Sequence, residues 1–389
     1  MPVPILFFGD SPTLKTGLSR IGRDLAVRVS GLPEFRVGFL GRGGIASRQL
    51  PFPQYTFPEH AQWGEGVIEH AWADFSNNQH GVIMSIWDAS RLLWFAQPQK
   101  DALPAPLYEF LTSGRFQRWG YFPVDSSGPG DRLTGASCAT ISAYERPLAY
   151  SIWGSQVMER SIDKPVDWIP HGFNANTFQP RDREAYRTGA GLNGRLLIGC
   201  VMANTPRKDW GLAFSTMALL RQKHPNLHFW AHVDVMARSY AWDLDALIHD
   251  YRAADWTTVT ITGSMSDKDL SYAYSACDLT ILPSLGEGFG FPLVESLACG
   301  TPAVHGSYGG GAELLPDRQW LVEPVAWRLD TLHNALRPVF EPAHWVEAIE
   351  RVLDAKVDRQ FCRDAVSHLD WKALWPATWQ KWFLQGLKA

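Results

Sequence analysis

Apolar residues in this chain come in short runs that end on a polar or glycine residue, each followed by a stretch with helical periodicity. VPILFFGD (residues 3–10) closes on Gly9-Asp10, SPTLKTG follows, and in LSRIGRDLAVRV Leu18, Ile21, Leu25 and Val29 recur at helical spacing. Strand, glycine-containing loop and helix form the opening unit of a doubly wound domain. RVGFL (36–40), GVIMSIWD (81–88), RWGYFPVD (118–125) and LAYSIW (148–153) read as further strands, two of them closing on Asp88 and Asp125. VDWIPHGFNANTFQP (166–180) breaks the rhythm with Pro, Gly and Asn, so the spacing predicts a hinge near 169–180. A second alternation of strands and helix-length segments follows in LLIGCVM (196–202), HFWAHVDV (228–235), TVTITG (258–263) and DLTILPS (278–284). The pattern predicts an α/β protein with two Rossmann-like doubly wound domains, residues 1–168 and 169–360. In the last segment, 361–389, Trp371, Trp375, Trp379, Trp382 and Phe383 fall near one helical face, and Pro376 starts or restarts a helix. This helix is expected to pack back on the first domain; the alternative is peripheral contact with a membrane surface.

Length supports the division, because 389 residues exceed what one core serves. The net charge of −4 supplies no global field for nucleic acid or an anionic membrane. Met1 to Arg48 carries seven basic residues against three acidic ones, a local bias toward an anionic partner or a solvated helix face. The five cysteines are widely spaced and form no C-x-x-C pair, which reads as reduced thiols in a cytoplasmic protein. No stretch is long and apolar enough to span a bilayer, and the first apolar run reads as a strand, not a signal peptide. The eighteen tryptophans are assigned to core packing.

The chemistry concentrates in SLGEGFGFPLVESLACGTP (284–302). Pro292 begins a helix that Gly300 ends, which puts Glu287 in a loop at a strand's C-terminal edge and Glu295 in the first helical turn. Gly286, Gly288 and Gly290 let the backbone approach a ligand, but Phe291 stands where a dinucleotide fingerprint needs its last glycine, so NAD is not indicated. Two carboxylates that accept hydrogen bonds suit the ribose and hexose ends of a nucleotide sugar. Arg207 and Lys208, in the loop between LLIGCVM and an amphipathic helix, suit the diphosphate between those ends. SYGGGAEL (307–314) adds backbone N–H groups at another helix start, Gly310 among them. Asp243-Leu-Asp245 lies in a predicted helix, and no metal site is assigned to it.

EGFGFPLVE (287–295), with ACGTPAV (298–304), GGGAEL (309–314), IPHGFNANTFQP (169–180) and the Arg-Lys loop, resembles glycosyltransferase family 4, a retaining family with the GT-B fold and a Glu-x7-Glu motif. The resemblance covers about 165–320 and little of the first domain. It implies two domains facing a central cleft, with Glu295 on the ribose, Glu287 on the donor sugar, and Arg207 and Lys208 neutralising the leaving diphosphate. Gly288, Phe289, Gly290 and Gly310 line the donor, and Gly17 gives it room from the first domain. Ala203 stands where family members commonly carry an arginine, a departure that bears on the phosphate site. The implied reaction uses a nucleotide-sugar co-substrate, UDP-linked, with no cofactor or metal, and a hydroxyl acceptor that is a glycan or lipid-linked. Asp125 is the first-domain residue assigned to the reaction centre, with Asp88 second. Two alternatives stand beside this reading. One is transfer to hydroxymethylated bases in viral DNA, with GRGGIASR (41–48) holding the nucleic acid. The other is a nucleotide-sugar-binding protein without turnover.

Overall fold

The computed structural model describes residues 1–58, 63–77, 79–331 and 333–388. Contacts divide the chain into two compact units, Met1–His171 with Pro376–Ala389, and Gly172–Trp375. Residues 361–375 therefore lie in the second unit, and the third segment of the sequence reading is shared between the two.

The first unit is built on a seven-stranded sheet: β1 Val3–Asp10, β2 Phe35–Arg42, β3 Gln54–Phe57, β4 Gly81–Ile86, β5 Phe116–Phe122, β6 Arg146–Ala149 and β7 Asp167–Trp168. Their order is β3-β2-β1-β4-β5-β6-β7, and every neighbouring pair is parallel. β4 is buried at every position, as a strand covered on both faces must be. LAYSIW is shorter as a strand than its composition suggests. β6 stops at Ala149, and the Ser151 hydroxyl accepts from the Gly154 N–H to cap helix Ile152–Ile162.

Three rings of the C-terminal aromatic face, Trp379, Trp382 and Phe383, belong to this unit's interior. Phe383 is fully buried, with ring centroids 6.4 Å from Phe7 and 6.0 Å from Phe35, and Trp382 meets Trp119 edge-on at 5.2 Å. The Arg146 guanidinium stacks 4.0 Å from the Trp382 ring centroid and donates at 2.8 Å to the Trp382 carbonyl. Trp379 Nε1–H donates to the Pro170 carbonyl at 3.0 Å. These rings fill a core and are not displayed to a membrane. Pro376 neither starts nor breaks a helix: Trp371–Leu374 passes through a π turn, Trp375–Trp379, into Gln380–Gly386, and the wider turn accommodates the missing N–H.

The second unit holds a six-stranded sheet: β8 Leu196–Val201, β9 Leu227–Val233, β10 Thr257–Ile261, β11 Leu279–Leu282, β12 Ala303–Gly306 and β13 Leu321–Val322. The order is β10-β9-β8-β11-β12-β13, again parallel throughout. A hairpin absent from the sequence reading, β14 Ala326–Asp330 with β15 Ala335–Val339, leaves Trp327 and Leu329 exposed. All five cysteines are free, four of them buried. Among the described residues no helix is long and apolar enough to cross a membrane.

Candidate active site

The second sheet reverses direction between β8 and β11. An open parallel sheet forms its ligand crevice at the C-terminal ends of the strands flanking such a reversal. The loops that follow β8 and β11 bring together the residues the sequence singled out. Lys208 Nζ donates to Glu287 Oε1, with both side chains buried. The Arg207 guanidinium lies 3.7 Å from the same oxygen and donates at 2.5 Å to the Gly286 carbonyl. The Leu285 N–H donates to the Arg207 carbonyl at 2.8 Å, so the loops are tied through backbone as well as charge. Burial acts to raise the Glu287 carboxyl, but the charges of Lys208 and Arg207 prevail and hold it at about 2.

Local rules explain the placements. Helix Trp210–Lys223 begins where Asp209 accepts from the Leu212 N–H at 2.9 Å, which leaves Arg207 and Lys208 in the loop before it. Asn204, fully buried, pins that loop: its N–H donates to Asp234 at 2.6 Å, its amide to the Trp242 carbonyl at 2.8 Å, and its oxygen accepts from the Trp242 N–H at 3.0 Å. Helix Phe291–Ala298 starts after Gly290, whose φ of 102° favours glycine, and Gly300, with φ of 78°, follows its end. Glu295 sits past the first turn, so the helix dipole does little for it. The Tyr274 hydroxyl holds it instead, donating to Oε2 at 3.0 Å. Burial and the Glu295 charge both raise the Tyr274 phenol, which keeps its proton for that bond.

Gly288, Phe289 and Gly290 are buried in the same loop, Phe289 edge-on to Phe291 at 5.4 Å. Gly310 opens a five-residue 3₁₀ turn, Gly310–Leu314, and its N–H donates at 2.9 Å to the Glu287 carbonyl. That donor, assigned to a ligand in the sequence reading, is directed at the protein's own loop. Gly17 and Asp125 belong to the first unit. Gly17 is the first residue of helix Gly17–Val29, capped by the Thr16 hydroxyl, and Asp125 accepts from the Ser126 hydroxyl at 3.1 Å. Asp243 caps helix Leu244–Asp250 by accepting from the Ala246 N–H at 3.0 Å.

Two residues beside the site escaped the sequence reading, Tyr274 and His305. His305, next to last in β12, has Nδ1 2.7 Å from the Leu282 carbonyl. A carbonyl only accepts, so Nδ1 carries the proton and Nε2 is a lone pair, buried and without a hydrogen-bond partner. Burial lowers the His305 pKa and keeps the ring neutral. A titratable residue ending an apolar run was the available signal. The ring fills space that Gly311 leaves open: a Cβ there would stand 2.7 Å from Nε2 and 3.1 Å from Glu287 Cβ. Gly311→Ala is accordingly expected to lose about 1–3 kcal/mol of stability in thermal unfolding. Adding His305→Ala should restore most of it; equal losses in the single and double variants would show that the imidazole is not the obstacle.

Residues 182–359 match the family model of glycosyl transferases group 1. D-inositol 3-phosphate glycosyltransferase of Acidothermus cellulolyticus is 25% identical over 395 residues, covering 94% of this chain and 84% of the relative. Over residues 182–359 the chain is thus similar to the glycosyl transferases of group 1. The D-inositol 3-phosphate glycosyltransferase of Mycobacterium sp. (strain KMS) is 29% identical over 331 residues, covering 84% of this chain and 69% of that protein. Among solved structures, the Anabaena protein Alr3699/HepE in complex with UDP and glucose superposes with a TM-score of 0.73 at 16% identity over 99% of each chain. Sucrose-phosphate synthase from Thermosynechococcus elongatus gives 0.73 at 15% identity over the whole of both. The fold of the chain is GT-B. Arg207, Lys208, Glu287, Glu295 and Gly310 all fall inside the matched segment, whereas Gly17 and Asp125 fall outside it.

Proposed function

We propose that the glycosyltransferase moves a sugar from a UDP-linked donor to a hydroxyl acceptor, with retention at the anomeric carbon. The observation that carries the proposal is the buried Lys208–Glu287 pair at the reversal of the second sheet, with Arg207 against the same carboxylate. A nucleotide sugar presents hydroxyls at both ends and two negative phosphates between them. Glu295, oriented by Tyr274, takes the ribose hydroxyls; Glu287 takes the donor sugar; Lys208 and Arg207 exchange part of their contact with Glu287 for the diphosphate. As the glycosidic bond breaks, negative charge grows on the leaving phosphate, and two cations already in place stabilise it without reorganising. Arg207 serves where Ala203 supplies no charge. No divalent ion has a part in this scheme. The leaving phosphate assists loss of the acceptor proton, and Asp125 is the carboxylate assigned to the acceptor side. The UDP preference is supported by a neighbour of the same fold, Alr3699/HepE, solved with UDP and UDP-glucose.

The nucleic-acid reading asks the basic loop for a row of cations along a duplex backbone. Arg42 is half-buried and stacked 4.2 Å from the Trp63 ring centroid, an arrangement unlike such a row. Calorimetric titration of UDP, GDP and ADP in EDTA is expected to show binding of UDP alone. Hydrolysis of the UDP-sugar, measured for the wild type and Glu287→Ala, separates an enzyme from a binding module: the variant should lose turnover and keep nucleotide binding. Binding of no nucleotide would withdraw the donor assignment.

A further inference from the structure

The hairpin of the second unit stands beside the donor loops. Arg328 of β14 lies directly opposite Arg337 of β15, so the two side chains leave the same face of the hairpin. On that face Arg337 is buried, its Nη1 donates at 3.5 Å to the Leu285 carbonyl, and its Nε lies 3.4 Å from Asp330 Oδ2. Leu285 precedes Gly286 and Glu287, so this face is fastened to the loop that carries the donor-site carboxylate. The opposite face is held by Tyr308, whose ring meets Trp327 edge-on at 4.8 Å and whose hydroxyl donates at 3.3 Å to the Leu336 carbonyl.

Arg328 differs from Arg337. It is exposed, and among the described residues it enters no hydrogen bond and no ion pair. Its charge is felt at Asp209, the residue that follows Lys208: burial raises the Asp209 carboxyl, and the Leu212 N–H and the Arg328 charge act against that rise. The guanidinium is therefore within electrostatic reach of the loop that bears Arg207 and Lys208. Charge accounting gives it a task there. Glu287 stays ionised beside Lys208 and Arg207, so these three side chains together leave one net positive charge. A nucleotide sugar brings two negative phosphates, and a charge held in a crevice without its counterpart is costly.

We propose that Arg328 is a third cation of the donor site, brought to it by the hairpin, and that its partner is an oxyanion on the sugar side of the donor: the β-phosphate, or a carboxylate on the transferred sugar. The assignment rests on the nucleotide-sugar reading of the crevice. The sugar side follows from the anchor at Leu285, next to Glu287, whereas the ribose is assigned to Glu295 and Tyr274. A guanidinium suits either oxyanion, because its N–H edge donates to two oxygens at once.

The test is titration of the full chain with UMP, UDP, UDP-glucose and UDP-glucuronate, for wild type, Arg328→Met and Arg328→Lys. Arg328 makes no bond within the protein, so the variants should unfold at the wild-type temperature. If the partner is the β-phosphate, Arg328→Met weakens UDP and UDP-glucose by about tenfold, the scale of one charge-assisted hydrogen bond, and leaves UMP unchanged. If it is a sugar carboxylate, the variant binds UDP as wild type does and loses a preference of about tenfold for UDP-glucuronate over UDP-glucose. Arg328→Lys keeps part of the affinity in either case. Four unchanged affinities in Arg328→Met, or a loss for UMP as large as for UDP, overturn the proposal and leave the donor reading standing. A wild type that binds none of the four overturns both.

Discussion

Lys208→Met is expected to destabilise the protein by about 3–5 kcal/mol at neutral pH, because it leaves the buried Glu287 carboxylate with Arg207 alone at 3.7 Å. The pH dependence identifies the cause. In the wild type the folded-state pKa of Glu287, about 2, lies below its ordinary 4.5, so its contribution is fully present above about pH 4.5 and is lost as pH falls toward 2. Without Lys208, burial dominates and the carboxyl pKa rises, so the variant relieves its own penalty by taking up a proton. The difference in urea midpoint between wild type and variant should narrow between about pH 7 and pH 4. A difference that stays constant over that range would mean that the lost contact is packing and not charge.

Glu295→Gln is expected to weaken UDP binding by about a hundredfold, the cost of exchanging the carboxylate proposed to take two ribose hydroxyls for a neutral amide, with the fold retained. Tyr274→Phe, which removes only the hydroxyl orienting that carboxylate, should cost about tenfold. The analogue 2′,3′-dideoxy-UDP separates ribose contact from general disturbance. Wild type should bind it about as weakly as Glu295→Gln binds UDP, and the variant should no longer distinguish the two nucleotides. A variant that still preferred UDP would place the ribose elsewhere.

What the sequence conveyed and what it withheld divide by distance along the chain. The limits of helix Phe291–Ala298 were legible because Pro292 and Gly300 act within a turn of where they stand. The parallel strands were legible because an interior strand is apolar throughout. Lys208 and Glu287 could each be suspected, but they are 79 residues apart, and only strand order makes them a pair. Tyr274 stands 21 residues from Glu295, and its part beside that carboxylate was missed for the same reason. Gly310 was assigned to a ligand because consecutive glycine N–H groups suit anions; the Glu287 carbonyl, brought close by tertiary folding, takes the donor first. Asp278 looked like the start of a strand, yet it binds Arg183, Arg187 and the Leu197 N–H, partners that no spacing rule connects to it.

The burial of Phe383 and Trp382 in the unit that begins at Met1 has a consequence for biosynthesis. Domains generally consolidate in the order in which they leave the ribosome. Here the first sheet lacks the rings that pack against Phe7, Phe35 and Trp119 until Trp382 and Phe383 are made. The second unit, whose chain is complete by Trp375, can finish before the first, although the strands of the first precede it along the chain.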